Sequence, residues 1–177
     1  MAAWAEIEYG LSLWFKSATG LEYNVAQNLF FSGRAFSTRR DLFATALTTA
    51  NMPDNWREFA IAALDKAQCY SSARNRLAHG LMHPTKLDEN GQPTDWKIKE
   101  QEQWQDQAGL DYNEISIIAE NFQALGSILT GSHYPYTRSE QPKEFVRQLR
   151  ERPNEANSTQ LSQKQIARLN RLQSSED

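Results

Sequence analysis

Large apolar residues recur along this chain at intervals of three and four, and the pattern persists through long stretches. The spacing is clear in Trp4, Ile7 and Leu11, and it returns between 36 and 50 and between 112 and 129. Such spacing places the apolar side chains on one face of an α-helix. The sequence therefore predicts an all-α fold, a bundle of four or five helices.

The longest predicted helix begins near Asp54, the expected N-cap, and runs towards His79 without an internal glycine or proline. Gly80 is expected to end this helix, because glycine readily follows a helix C-terminus. Gly20 is expected to break the N-terminal helical segment, and Gly131 to follow the last helix. These glycines set the predicted helix boundaries.

A short segment between two of the helices departs from the helical period. Asn90 and Gly91 form a strong tight-turn signal, and apolar and polar residues alternate from Trp96 to Ile98. Both features are typical of a β-hairpin. We expect a small β-hairpin or an ordered loop near residues 81–104.

The last part of the chain is more polar than the rest. Large apolar residues become sparse after Tyr136, and Pro142 and Pro153 interrupt the sequence. We therefore expect a helical bundle over residues 1–137, followed by a polar tail over 138–177 that is partly disordered or helical.

The chain has 177 residues, a formal net charge of -3 and one cysteine, Cys69. A net negative charge argues against a nucleic-acid binder with a broad basic surface, although a local basic site remains compatible. The single cysteine allows no intrachain disulfide, which suits a reducing compartment. With no export signal and no apolar stretch that could span a membrane, we expect a cytoplasmic protein without membrane contact.

One charged residue interrupts the apolar stripe of the long predicted helix. The stripe runs through Ala67 and Tyr70, and Arg74 occupies the next position. An unpaired buried charge is costly. Arg74 must therefore reach solvent, face an anionic ligand or a subunit interface, or pair with a carboxylate.

The carboxylate alternative has three candidates on the N-terminal helical segment, namely Glu6, Glu8 and Glu22. In this interpretation His79 merely ends its helix. Ion-pair networks of this kind commonly explain such residues. Arg74 and His79 would then have a structural role.

The residues around Arg74 favour a chemical role. Asn75 lies four residues before His79, and Arg76 lies three before it, so both are neighbours of the imidazole on the helix surface. Asn75 is therefore placed to fix the tautomer of His79. An arginine can bind phosphate and a histidine can transfer protons near neutral pH. The pair is suited to phosphodiester chemistry.

Arg74 and Asn75, three further residues, and then His79 and Gly80 resemble the Arg-polar-x-x-x-His signature of the HEPN superfamily of helical bundles. The signature lies late in a long helix with amphipathic helices before and after it, which is also similar to that superfamily. The resemblance covers roughly residues 1–131.

The resemblance implies a metal-independent endoribonuclease that acts as a homodimer and needs no cofactor. His79 would be the general acid or base, Arg74 would stabilise the charged phosphorane, and Asn75 would orient both. Arg76 would contribute to substrate binding. RNA would be the substrate, and an antitoxin-like protein partner could inhibit the enzyme.

Other interpretations of the sequence remain open. The chain could be a noncatalytic helical bundle that dimerises or forms a scaffold, or a module in which Arg74 and Arg76 bind nucleotide phosphates without cleaving them. His79 and His83 have the spacing of two zinc ligands, but no third ligand is evident. A patch of arginines, Arg34, Arg39 and Arg40, could follow phosphates, although the sequence favours a solvated helix face.

Overall fold

The computed structural model describes residues 2–99, 109–138, 142–154 and 156. These residues are mostly helical and include a small antiparallel hairpin, which confirms the predicted main class. In chain order the helices are α1 (Ala2–Thr19), α2 (Tyr23–Ser32), α3 (Phe36–Thr49), α4 (Asp54–His79), α5 (Tyr112–Thr137) and α6 (Lys143–Glu151). The strands are β1 (Leu81–Leu87) and β2 (Pro93–Lys99).

Two of the predicted breaks between helices are present. Gly20 follows the end of α1 with a φ of 68°, a left-handed conformation that glycine adopts easily. Gly80 follows α4, and its N–H donates to the Arg76 carbonyl over 2.8 Å. The prediction that Asp54 is the N-cap is wrong, because Pro53 occupies that position and Asp54 is the first residue of α4. Its carboxylate instead accepts a hydrogen bond from Arg57.

Helices α1 and α5 pack closely because small residues lie at their contact. A Cβ on Gly10 would lie only 2.6 Å from the Cβ of Leu129. Trp14 of α1 is buried, and its indole N–H donates to the Leu129 carbonyl over 3.0 Å. The Trp14 ring also contacts Trp56 of α4 and Tyr136 of α5. This aromatic cluster joins three helices in the core.

The last long helix extends past its predicted end. It continues through Gly131 to Thr137, because Ser132 is fully buried and Tyr136 packs against Trp14. Packing therefore outweighs the low helix propensity of glycine. At the other end, Asp111 and the glutamate of the first turn form a reciprocal capping box.

The predicted hairpin follows α4 directly. Its strands pair antiparallel, and the turn includes Gly91 with a φ of 76°. The Asp88 carboxylate accepts hydrogen bonds from the backbone N–H groups of Asn90 and Gln92, which stabilises this turn. Residues 100–104 of the predicted insertion lie outside the described part of the chain.

Part of the predicted tail packs against the long helices. The buried Lys66 of α4 donates to the carbonyl of Arg152 and to the side chain of Asn154. The Tyr70 hydroxyl donates to the Pro153 carbonyl over 3.0 Å. Burial lowers the pKa of Lys66 and raises that of Tyr70 to about 12. Residues 155 and 157–177 of the tail lie outside the described ranges.

Within the described ranges, no helix combines the length and the apolar character that crossing a membrane requires.

Candidate functional site

The predicted motif lies on the last turns of α4. Arg74 and Arg76 are half-buried, whereas Asn75 and His79 are exposed. His79 is the last residue of the helix, and the chain turns into β1 immediately after Gly80. A Cβ on Gly80 would overlap the Ile98 side chain of β2, so glycine allows the hairpin to approach the end of α4.

A cleft of about 530 Å³ brings most of the motif together with residues from other helices. Arg74, Asn75 and His79 line it, whereas Arg76 is not among the lining residues. The remaining lining residues come from α1, from the connection between α2 and α3, from the start of α3 and from α4: Glu8, Arg34, Ala35, Phe36, Ser37, Arg39, Gln68 and Ser71. The cleft is therefore built from at least three parts of the chain.

Arg74 has no carboxylate partner within 4.0 Å among the residues that the structure describes. Its Nη1 donates to Oδ1 of Asn75 over 3.1 Å. Its Nε is buried and has no hydrogen-bond partner there. A guanidinium that carries its full charge into a cleft is suited to binding an anion.

Of the three glutamates considered as partners for Arg74, Glu8 lies in the cleft but pairs with another arginine. Its Oε1 lies 2.6 Å from Nη1 of Arg39, and both side chains are mostly buried. The Nε of Arg39 also donates to the Gly33 carbonyl over 2.8 Å. Glu8 is therefore already paired, and no other carboxylate of the described residues lies within 4.0 Å of Arg74.

His79 lies at the cleft with its imidazole free of hydrogen bonds to the described residues. Asn75 therefore does not bond to His79 in this structure, and its Oδ1 accepts from Arg74 instead. Asn75 and Arg76 lie about one helical turn before His79, as predicted, but the Asn75 amide orients the Arg74 guanidinium rather than the imidazole. His83 lies in β1, so His79 and His83 do not share a helical turn.

The arginines near the start of α3 differ from one another in their contacts. Arg34 and Arg39 line the cleft, whereas the sequence alone favoured a solvated helix face for these arginines. Arg40 instead forms an exposed ion pair with Asp41 at 2.7 Å. The sequence indicated a possible phosphate-binding patch here, but its proximity to α4 depends on tertiary packing. The sequence indicated Glu8 only as a partner for Arg74, whereas in the structure it pairs with Arg39.

A second cleft of about 670 Å³ lies between the hairpin and the start of α5. Its lining includes Lys86, Lys97 and Tyr112, but no residue of the predicted motif. In the described part of the chain, no three His, Cys, Asp or Glu side chains are grouped as a metal site would require.

Comparisons of this chain with protein-family models, with curated proteins and with solved structures find no match. The resemblance to the HEPN superfamily therefore rests on Arg74, Asn75 and His79 and on their position late in a long helix.

Proposed function

We propose that this chain is a metal-independent endoribonuclease of the HEPN type, with its helices arranged as the bundle of that superfamily. The observation that carries the proposal is the guanidinium of Arg74, which has no ion pair with any described residue and shares a cleft with Asn75 and His79. A purely structural motif would instead pair Arg74 with a glutamate of its own chain. Here Glu8 pairs with Arg39.

The proposed reaction needs no group beyond the RNA and the protein. The ribose 2′-hydroxyl loses its proton to a base and attacks the neighbouring phosphorus, and the bond from phosphorus to the 5′-oxygen breaks. The leaving oxygen takes a proton from an acid. His79 serves as base or acid, and Arg74 stabilises the charge on the phosphorane. The products are a 2′,3′-cyclic phosphate and a free 5′-hydroxyl.

A single imidazole cannot act as base and acid in the same step. We therefore propose a homodimer in which the clefts of two chains face each other and each chain supplies one His79. Arg76 is proposed as a further substrate-binding residue, contributed from the same turns of α4. In the cytoplasm, an antitoxin-like protein would block such a cleft until RNA cleavage is required.

The test is incubation of the purified protein with RNA in excess chelator, followed by analysis of the product ends. We expect cleavage that yields cyclic phosphates and disappears in His79→Ala. Arg74→Ala should lower the rate by about 10²–10³, the usual effect of removing one group that stabilises transition-state charge. The matched control is His83→Ala, which removes an exposed histidine from β1 and should leave cleavage unchanged.

The nucleotide-binding alternative has one observation in its favour, because a cleft of about 530 Å³ is of small-molecule size. Absence of cleavage together with thermal stabilisation by nucleotides would support that alternative. Equal cleavage by wild type and by His79→Ala would contradict the ribonuclease proposal.

A further inference from the structure

One wall of the cleft is formed by the start of α3. Arg34 lies in the connection just before the N-cap residue of this helix, and Ala35, Phe36 and Ser37 line the cleft with it. The N-cap residue Ala35 offers no side-chain hydrogen bond, and the first turn contains no acidic residue. The backbone N–H groups of such a turn carry partial positive charge and add to the attraction for anions.

Arg34 is the exposed cation of this wall. Its side chain has no carboxylate within 4.0 Å among the described residues, unlike Arg40, which pairs with Asp41. An arginine in a cleft that is not engaged in an ion pair keeps its donors available for a ligand. Arg34 is thus a second cation with free donors in the cleft, in addition to Arg74.

Arg39 holds the connection that carries Arg34 in place. Its guanidinium donates to the carbonyls of Gly33 and Arg34 over 2.8 and 3.3 Å and pairs with Glu8 of α1. The same guanidinium also lies over the Phe31 ring, 5.3 Å from the ring centroid. Arg39 is therefore a positioning residue: it fixes the backbone on both sides of the connection and leaves Arg34 to reach the ligand.

The charges of the cleft fit more than one phosphate. Among the described residues that line the cleft, three arginines against the carboxylate of Glu8 give a net charge of +2 when His79 is neutral. Arg34 and Arg74, which form no ion pair with the described residues, come from different parts of the chain. A cavity of about 530 Å³ is of small-molecule size, and so suits one or two nucleotides of a single strand rather than a duplex.

We propose that Arg34 and the start of α3 bind the phosphate adjacent to the one contacted by Arg74. The cleft then takes two successive phosphates of a single-stranded RNA backbone. This subsite rests on the proposed ribonuclease function, because that function assigns Arg74 to the phosphate being cleaved. It adds a substrate requirement, since a backbone with only one phosphate would leave Arg34 unused.

The experiment measures binding separately from cleavage. The full chain is titrated against a fluorescent 2′-O-methyl RNA oligonucleotide, whose blocked 2′-oxygen cannot attack, and anisotropy gives the Kd over a range of salt concentrations. Arg34→Ala should raise the Kd about tenfold and reduce the salt slope by about 0.7, as expected when one single-strand phosphate contact is lost. Arg40→Ala, which removes a nearby arginine of α3 that does not line the cleft, is the matched control and should bind as wild type does. Thermal melting verifies that both variants are folded.

Several outcomes would overturn the subsite: no binding by wild type, no effect of Arg34→Ala, or an equal effect of Arg40→Ala. Displacement of the probe by ATP as effectively as by unlabelled oligonucleotide would also overturn it and would favour a nucleotide ligand. Arg34-dependent binding without any RNA cleavage would keep the subsite and remove the ribonuclease proposal. Cleavage by wild type together with unchanged RNA binding by Arg34→Ala would keep the ribonuclease proposal and remove the subsite.

Discussion

The guanidinium of Arg39 lies 2.6 Å from the carboxylate of Glu8, and the two side chains are only 13% and 16% exposed. This ion pair links α1 to α3 in the wall of the cleft. Because it occupies Glu8, it also determines the charge state of the site: Arg74 on α4 keeps its positive charge without a protein counter-ion among the described residues. The same contact therefore contributes to the fold and to the chemistry of the cleft.

Replacing Glu8 with glutamine tests the structural part of this contact. Glu8→Gln keeps the size of the side chain but leaves the mostly buried Arg39 without its counter-charge. We expect the free energy of unfolding to fall by about 1–3 kcal/mol, the usual cost of leaving a buried polar group without its partner. Urea denaturation measures this change. Glu22→Gln, at an exposed position, is the control, and an equal loss there would contradict the assigned role.

Asn75 offers a test of positioning within the motif. Its Oδ1 accepts from Arg74 over 3.1 Å, so Asn75→Ala should let the guanidinium move and lower the rate of RNA cleavage about tenfold. Asn75→Asp keeps the acceptor oxygen and should restore much of the rate. Failure of aspartate to improve on alanine, measured on folded variants by initial cleavage rates, would contradict an action through Arg74.

Much of the fold follows from local sequence signals. Apolar periodicity predicted the main helices, and Asn90 with Gly91 predicted the hairpin turn, because these features depend on neighbouring residues alone. The end of α5 was predicted too early. Gly131 signals a helix end locally, but Ser132 and Tyr136 are held by distant residues of the core, and periodicity does not contain that information.

The site was only partly predictable for the same reason. The motif places Arg74, Asn75 and His79 on adjacent turns, and helix geometry alone brings them together. The contribution of Arg34 depends on the packing of α3 beside α4. Which arginine Glu8 would neutralise depends on the position of α1, and the sequence indicated Glu8 only as a partner for Arg74.

The close contact between α1 and α5 predicts opposite effects for two glycine substitutions. Gly10→Ala would bring a Cβ to 2.6 Å from the Leu129 side chain, so we expect a loss of about 1–3 kcal/mol in unfolding free energy. Gly131→Ala has nothing within 4 Å of its added Cβ and lies inside α5. It should stabilise the protein by about 0.5–1 kcal/mol through helix propensity. Thermal and urea denaturation of both variants measure the difference, and equal shifts would argue against the tight contact.

The hydroxyl of Tyr70 anchors the chain after α6. Tyr70→Phe removes its hydrogen bond to the Pro153 carbonyl and should cost about 0.5–1.5 kcal/mol at neutral pH. Burial raises the folded-state pKa of Tyr70 from 10.0 to about 12, so the folded state holds this proton more tightly. The associated stability is complete below pH 10 and is lost as the pH rises through about 12.

Alkaline unfolding separates this anchor from a simple loss of packing. Wild type should lose stability more steeply than Tyr70→Phe between pH 10 and about pH 12, as followed by urea denaturation. Tyr134→Phe is the control, because Tyr134 is exposed and keeps its ring under Arg138 in the variant. Identical pH profiles for wild type and Tyr70→Phe would contradict the burial of the Tyr70 hydroxyl.

His133 gives the corresponding prediction at acid pH. Its imidazole is half-buried, lies 3.0 Å from the Ser17 hydroxyl and contacts the Trp14 ring. Burial, followed by the charge of Lys16, lowers the pKa of His133 below 6.5. The folded state therefore binds fewer protons than the unfolded state in mild acid. The corresponding stability is complete above pH 6.5 and is lost as the pH falls through the lowered folded-state pKa.

Urea denaturation from neutral pH into mild acid tests whether stability falls with pH in this way. His133→Asn should flatten the acid loss of stability seen in wild type, because the asparagine cannot take up a proton. His83→Asn removes an exposed histidine from β1 and should leave the wild-type profile in place. A profile for His133→Asn as steep as that of wild type would mean that other groups, rather than the imidazole between α1 and α5, set the acid sensitivity of this fold.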